Sequence, residues 1–163
     1  MKINKINKGF CQAFALAATV MAGVMGFASC ELESSDNGDL DGYWHLESID
    51  SLENGHTADL SKLHVFWGVE YKLISVRDTD HDADRYYFRF DQTSDSLKIT
   101  QVYLDHGHQD KGDDGGDHLL DEVTESLRYY GINQIPDAFR KEVLSSSKMV
   151  LRNSKLRLTF KKF

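Results

Sequence analysis

The stretch DHGHQDKGDDGGDHLLDE, from Asp105 to Glu122, is the richest in potential ligands along the 163 residues. It holds His106, His108 and His118 among repeated aspartates. Carboxylate oxygens suit Ca²⁺ and imidazoles suit Zn²⁺. Aligned to a calcium-binding loop, Asp110 takes the first position, Asp114 the fifth and Gly115 the turn, while Asp121 replaces the closing glutamate. Gly112 falls where a ligand is required, so Asp110, Asp114 and Asp121 are weak metal candidates. The stretch reads first as a solvated, glycine-rich connection. A second acidic run, RDTDHDADR, spaces Asp78, Asp80 and Asp82 as calcium ligands. Ala83 replaces its turn glycine and Arg89 stands where the closing carboxylate belongs, so a hairpin turn is the better reading. No metal and no cofactor are expected.

Other chemistries lack their residues. There is no Gly-x-Ser-x-Gly elbow, no His-Glu-x-x-His pair and no phosphate-binding glycine loop, and no enzymatic activity is expected. The chain has two cysteines, Cys11 and Cys30. Lys2, Lys5 and Lys8 precede an uncharged run from Phe10 to Ser29, the pattern of a secretory signal. Its ending, Phe27-Ala28-Ser29-Cys30, resembles a bacterial lipobox, in which the cysteine is acylated and becomes the mature N-terminus. Residues 1–29 are then a lipoprotein signal peptide, and the mature chain keeps no free thiol for a thiolate metal site, a nucleophile or a disulfide.

Loss of the three lysines from the 19 basic residues leaves 16 against 26 acidic ones, a net charge of −10. Such a surface repels nucleic acid and anionic headgroups, so the membrane partner is reached through acyl chains on Cys30. Residues 30–41 are acidic and polar and read as a flexible tether. Acids just after the lipidated cysteine resemble the surface-export signal of Bacteroidota lipoproteins, and a plain solvated linker fits the composition equally. The expected location is the Gram-negative envelope, at the outer membrane.

The elements behind that tether alternate with period two. Trp44 and Leu46 share a face in GYWHLESI. LHVFWGVEYKLISV reads as one long strand with Leu63, Val65, Trp67, Val69, Tyr71 and Leu73 on one side, Phe66, Ile74 and Val76 on the other, and a bulge or bend at Gly68. Tyr86, Phe88 and Phe90 alternate in RYYFRFDQ, as do Leu97 and Ile99 in SLKITQVYL. KMVL and KLRLTFKKF form a last hairpin. PDAFRKEVL reads as a strand. One helix is expected over 118–130, with Leu120, Val123, Leu127 and Tyr130 at helical spacing, Asp117 as N-cap and Gly131 as stop. The fold class is all-β, a small antiparallel barrel of seven or eight strands with one helix before the last strands, over residues 42–163.

DLDGYWHLESI resembles the Gly-x-Trp opening strand of lipocalin-like barrels, and MVLRNSKLRLTFKKF resembles the closing strands of lipocalin-like lipoproteins of Bacteroides and relatives. The resemblance implies a calycin-type barrel closed at one end by Gly42 and Trp44, with Arg157 of the last strand stacked on the indole. Two functions of different classes are expected, the first motivated by this resemblance together with the aromatic strands. Trp67, Tyr71, Tyr86, Phe88 and Phe90 could line a pocket for a small apolar ligand. Alternatively they fill the barrel as core, and the protein serves as a structural or interaction lipoprotein that presents its acidic loops to a protein partner.

Overall fold

The computed structural model describes residues 35–106 and 116–163. A 3₁₀ turn, Gly38–Leu40, leads into strand β1, Gly42–Ser51. Then come β2 (Thr57–Asp59), β3 (Val65–Glu70), β4 (Leu73–Asp78), β5 (Tyr86–Gln92), β6 (Ser96–Leu104) and β7 (His118–Leu120). A short helix α1 (Glu125–Tyr129) precedes β8 (Asp137–Leu144), β9 (Lys148–Arg152) and β10 (Leu156–Lys162). Eight of these strands pair antiparallel in the order β10-β9-β8-β6-β5-β4-β3-β1, and β1 pairs again with β10. The sheet thus closes into a barrel, as the alternating strands predict. The short β2 and β7 lie beside β1 and β6.

Period-two alternation sends one set of side chains inward. Trp44, Leu46, Val65, Trp67, Ile74, Val76, Phe88, Leu97, Ile99, Phe139, Leu158 and Phe160 belong to one buried cluster. Fully burying such a side chain stabilises the fold by roughly 1.5–3 kcal/mol, so this inner face dominates the energetics.

Three local expectations need correction. LHVFWGVEYKLISV is a hairpin rather than one strand, because Glu70 pairs with Leu73 around Tyr71 and Lys72. The change of parity across that turn accounts for Ile74 and Val76, whereas Phe66 is buried on the outer face of β3, where it stacks on Tyr43. Tyr71 adopts φ 52°, a left-handed conformation unusual for a tyrosine, so turn-forming residues do not mark the place. Gly68 is not a bulge; it pairs in register with Tyr43 and with Ser75. A Cβ there would lie 2.8 Å from Ser75 Oγ and 3.2 Å from the Tyr43 ring, so glycine lets that ring lie across the sheet.

The third correction concerns the helix over 118–130. Residues His118–Leu120 are strand β7, and helix begins only at Glu125. β8 pairs with Ser96–Ile99 of β6, and β7 takes Val102–Leu104. The unpaired upper edge of β6 claims the segment, because exposed ladder groups seek partners. Thr124 then caps α1, its side chain accepting the Leu127 N–H at 3.2 Å.

Candidate functional site

The barrel has two ends, and each is shut by a segment outside the eight strands. At the base, residues 35–41 fold onto the wall. Leu40 is fully buried and its carbonyl accepts Trp44 Nε1–H at 2.8 Å. Asn37 donates to the Tyr71 carbonyl and to Asp41 Oδ1 (2.7 Å), and accepts from Gln92 Nε2 (3.0 Å). Its one side chain thus joins the 3₁₀ turn, the β3–β4 hairpin and the end of β5. The part of the acidic stretch read as tether that lies at 35–41 is therefore packed. Its polarity served a buried hydrogen-bond network, which composition alone does not distinguish from a solvated linker.

At the opposite end, α1 and the residues after it cover the mouth. Leu127, Tyr130 and Ile132 are fully buried and join the inner cluster. Hydroxyls fix this plug to the β4–β5 loop. Tyr129 Oη donates to Asp78 Oδ2 (2.8 Å) and Ser126 Oγ to Asp84 Oδ2 (3.0 Å). Tyr130 Oη donates to the Asp84 carbonyl (2.8 Å) and accepts the Asp78 N–H (3.1 Å). Tyr86 Oη and Thr124 Oγ1 lie 3.1 Å apart.

Asp78 is the hub of this latch, and its side chain is 1% exposed. Burial pushes its carboxyl up, but hydrogen bonds from His81 Nδ1, the Asp80 N–H and Tyr129 outweigh burial and hold it below its ordinary value. The Asp78 carboxylate in turn holds the His81 imidazole above its ordinary value. Burial pushes the phenol of Tyr130 up to about 12, and burial with the Asp78 carboxylate raises Tyr129 further. Both hydroxyls stay protonated and available as donors.

Between the two closures the interior is aromatic and aliphatic. Trp67, Tyr86, Phe88 and Phe90 are 0–2% exposed. The Trp67 ring meets Phe88 at 5.6 Å and Phe160 at 5.1 Å, both edge to face. Tyr86 meets Tyr130 at 5.9 Å. These four predicted pocket residues are brought together by β3 and β5. Tyr71, the fifth, lies 45% exposed at the hairpin tip outside the barrel. It has the parity of Trp67, but β3 ends at Glu70 and Tyr71 is itself a turn residue, so the inward alternation does not reach it.

A closed eight-stranded antiparallel barrel with a 3₁₀ entry turn and a Gly-x-Trp first strand agrees with the comparisons to known proteins. A family model described as a lipocalin-like domain matches residues 25–163. The chain belongs to this lipocalin-like family. Two solved structures share the fold. One is a lipocalin-like protein from Bacteroides uniformis, 19% identical, with a TM-score of 0.55 over 77% of this chain and 100% of that one. The other is an uncharacterized protein from Bacteroides eggerthii, 17% identical, with a TM-score of 0.53 over 76% of this chain and 98% of that one. No curated protein matches.

In this lipocalin-like barrel the cation over Trp44 is not Arg157. Register places Lys162 opposite Trp44 and Arg157 opposite Asp50, at the other end of the β1–β10 seam. Lys162 Nζ lies 4.9 Å from the Trp44 ring. Arg157 points outward, with Nε 2.7 Å from Glu142 Oε2 and NH1 3.5 Å from Asp50 Oδ2. Gly42 has φ 120°, and a Cβ there would stand 2.7 Å from Lys162 Cε, so glycine clears the path of the lysine stem.

The outer wall carries an open groove of about 940 Å³. Tyr43, Tyr71, Leu73, Tyr87 and Arg89 line it. Of the metal candidates, Asp110 and Asp114 lie outside the described residues, as does Cys30. Asp121 is described, and no group of three or more metal-ligating side chains occurs among the described residues. His106 and His118 do come together, with ring centroids 4.6 Å apart. The run Asp78–Asp82 lies at the β4–β5 hairpin connection, as expected, and there Asp78 holds His81 and Asp80 holds His64. Of the latch partners, Tyr130 was legible only as part of the apolar face of an expected helix, and no pattern singled out Tyr129.

Proposed function

We propose that this lipocalin-like protein is an envelope lipoprotein, anchored by acyl chains on Cys30, whose barrel takes up one small apolar molecule. The observation that carries the binding reading is the nature of the mouth closure. The plug is a five-residue helix and its C-terminal continuation, and its polar attachments are side-chain hydrogen bonds to one loop. It stands apart from the eight-stranded ladder, so it can leave while the wall stays paired. Its withdrawal removes Leu127, Tyr130 and Ile132 from an aromatic interior. Exposing each costs roughly 1.5–3 kcal/mol, which makes the open state a minor one. An apolar guest of comparable area offsets that cost and shifts the population.

Saturable uptake of the neutral fluorophore N-phenyl-1-naphthylamine tests this reading. One site per chain is expected, with faster uptake in Tyr129→Phe; no saturable uptake would overturn it. For the anchor, incorporation of labelled palmitate that vanishes in Cys30→Ser is expected. An unlabelled wild-type chain would refute that part. The signal-like run and the lipobox-like ending support the anchor.

A second reading rests on a different observation. The interior rings already pack edge to face, whereas the groove of Tyr43, Tyr71, Leu73, Tyr87 and Arg89 stands open. On this reading the barrel is a filled scaffold and a protein partner docks outside. Loss of a crosslinked partner on Arg89→Glu, without loss of fluorophore uptake, would favour it.

A further inference from the structure

Trp44 and Trp67 stand opposite each other on neighbouring strands, and both indoles are fully buried. Trp44 Nε1–H is met by the Leu40 carbonyl at 2.8 Å. Trp67 Nε1–H has no hydrogen-bond partner, and it is the sole buried side-chain polar atom in that state among the described residues. The other buried polar side chains are satisfied. Asn37 makes the bonds described above, Asp78 accepts three, and Asp137 accepts from Asn153 Nδ2 (3.0 Å) and the Asn133 N–H (3.3 Å). A buried donor left without an acceptor is destabilising. A lipocalin-like barrel that otherwise meets every such demand therefore carries one unmet donor in its apolar interior.

The position of that donor relative to the plug matters. Asp78, whose N–H reaches Tyr130 Oη, pairs with Val65, and Trp67 pairs with Val76. Trp67 thus belongs to the inward row next below the one the plug touches. A molecule that replaces Leu127, Tyr130 and Ile132 arrives above Trp67, between Phe88 and Phe160 on either side of the indole.

We propose that Trp67 is a specificity-determining residue: its Nε1–H donates to a hydrogen-bond acceptor, such as a carbonyl or ether oxygen, carried by the apolar ligand. The inference rests on the ligand-binding reading above and narrows the ligand class. Simple hydrocarbons leave the donor unmet and acceptor-bearing ones satisfy it. The surroundings of the donor are rings and aliphatic chains, so one oxygen is matched and a strongly polar or charged ligand is not.

The test uses the purified chain with decane and 2-decanone as probes. The chain contains two tryptophans, so its ¹⁵N–¹H spectrum has two indole signals, and Trp44→Phe assigns them. With 2-decanone the Trp67 signal should move downfield while that of Trp44 stays; decane should leave the Trp67 proton without that shift. In Trp67→Phe the ratio of ketone to alkane affinity should fall about tenfold, the factor for about 1.4 kcal/mol of hydrogen bonding. That ratio is informative even if both affinities drop, and the wild-type spectrum decides the matter if the variant does not fold. Binding of both probes with an unmoved Trp67 signal, or an unchanged ratio, overturns this inference and leaves the ligand reading standing. Binding of neither probe overturns both.

Discussion

Lys162 spans the base of the barrel from wall to entry turn: its ammonium lies 4.9 Å from the Trp44 ring and donates to the Asp39 carbonyl at 3.1 Å. The contact combines a cation over an aromatic face with an aliphatic stem laid along apolar surface. It joins the last strand to the turn that precedes the first.

Lys162→Ala should therefore lower stability by about 1–2 kcal/mol. Arg157→Ala, which removes an exposed pairing with Glu142 and Asp50, should cost less than about 1 kcal/mol. Urea titration of the two variants checks the order. An Arg157 variant weaker than the Lys162 variant would mean that the seam, not the base, depends on the basic residue of β10.

The latch at the mouth should depend on pH from both sides. Asp78 is held below its ordinary 3.8, so its contribution is present above that value and is lost as pH falls through its lowered folded value. His81 is held above its ordinary 6.5, so its contribution is full below that value and is lost as pH rises through its raised folded value. Amide exchange of residues 125–130, corrected for the intrinsic pH dependence, should show strongest protection between the two limits. Asp78→Asn should flatten the profile on both sides.

Tyr129→Phe removes one donor from a buried carboxylate that keeps two others. A hydrogen bond to a charged group contributes about 1.5–3 kcal/mol, and most of the loss should appear as local opening of α1 rather than of the barrel wall. Comparison of exchange in α1 with exchange in β4 distinguishes the two. Equal loss in both would show that the plug and wall open as one unit.

Asn37→Ala should cost about 1–3 kcal/mol, because it removes the side-chain bonds to the Tyr71 carbonyl and to Asp41 Oδ1 and the acceptor of Gln92 Nε2. Thermal unfolding measures it. A chain cut to begin at Gly42 should be destabilised further, since it also loses Leu40 and the acceptor for Trp44. A neutral Asn37→Ala would show that its hydrogen bonds contribute no stability, and a neutral truncation would show the same of residues 35–41 as a whole.

The wall was largely legible because each strand carries a local signal. Tyr86, Phe88 and Phe90, or Leu156, Leu158 and Phe160, alternate inward at every second residue, and the Gly-x-Trp start marks the base. What was not legible depends on register or on a neighbour's needs. Lys162 and Arg157 are both basic residues of one strand, and only the alignment with β1 shows which reaches Trp44. His118–Leu120 carry a helical pattern, yet the open edge of β6 makes them strand. Asp78 sits in an acidic run that reads as turn, and its burial depends on tyrosines from a segment about fifty residues later. The unmet indole of Trp67 is invisible to any pattern of residue types, since Trp44 has the same type and the same face.

The seam between β1 and β10 joins residues 44–51 to residues 156–162. Such far-separated partners give the molecule a high contact order, which slows folding. A nascent chain that lacks β10 leaves both edges of the sheet open, and neither early strands nor hairpins can complete the cylinder for it. The whole domain must therefore be available before its hydrophobic interior is sealed. Until then its open edges must be kept from pairing with other chains.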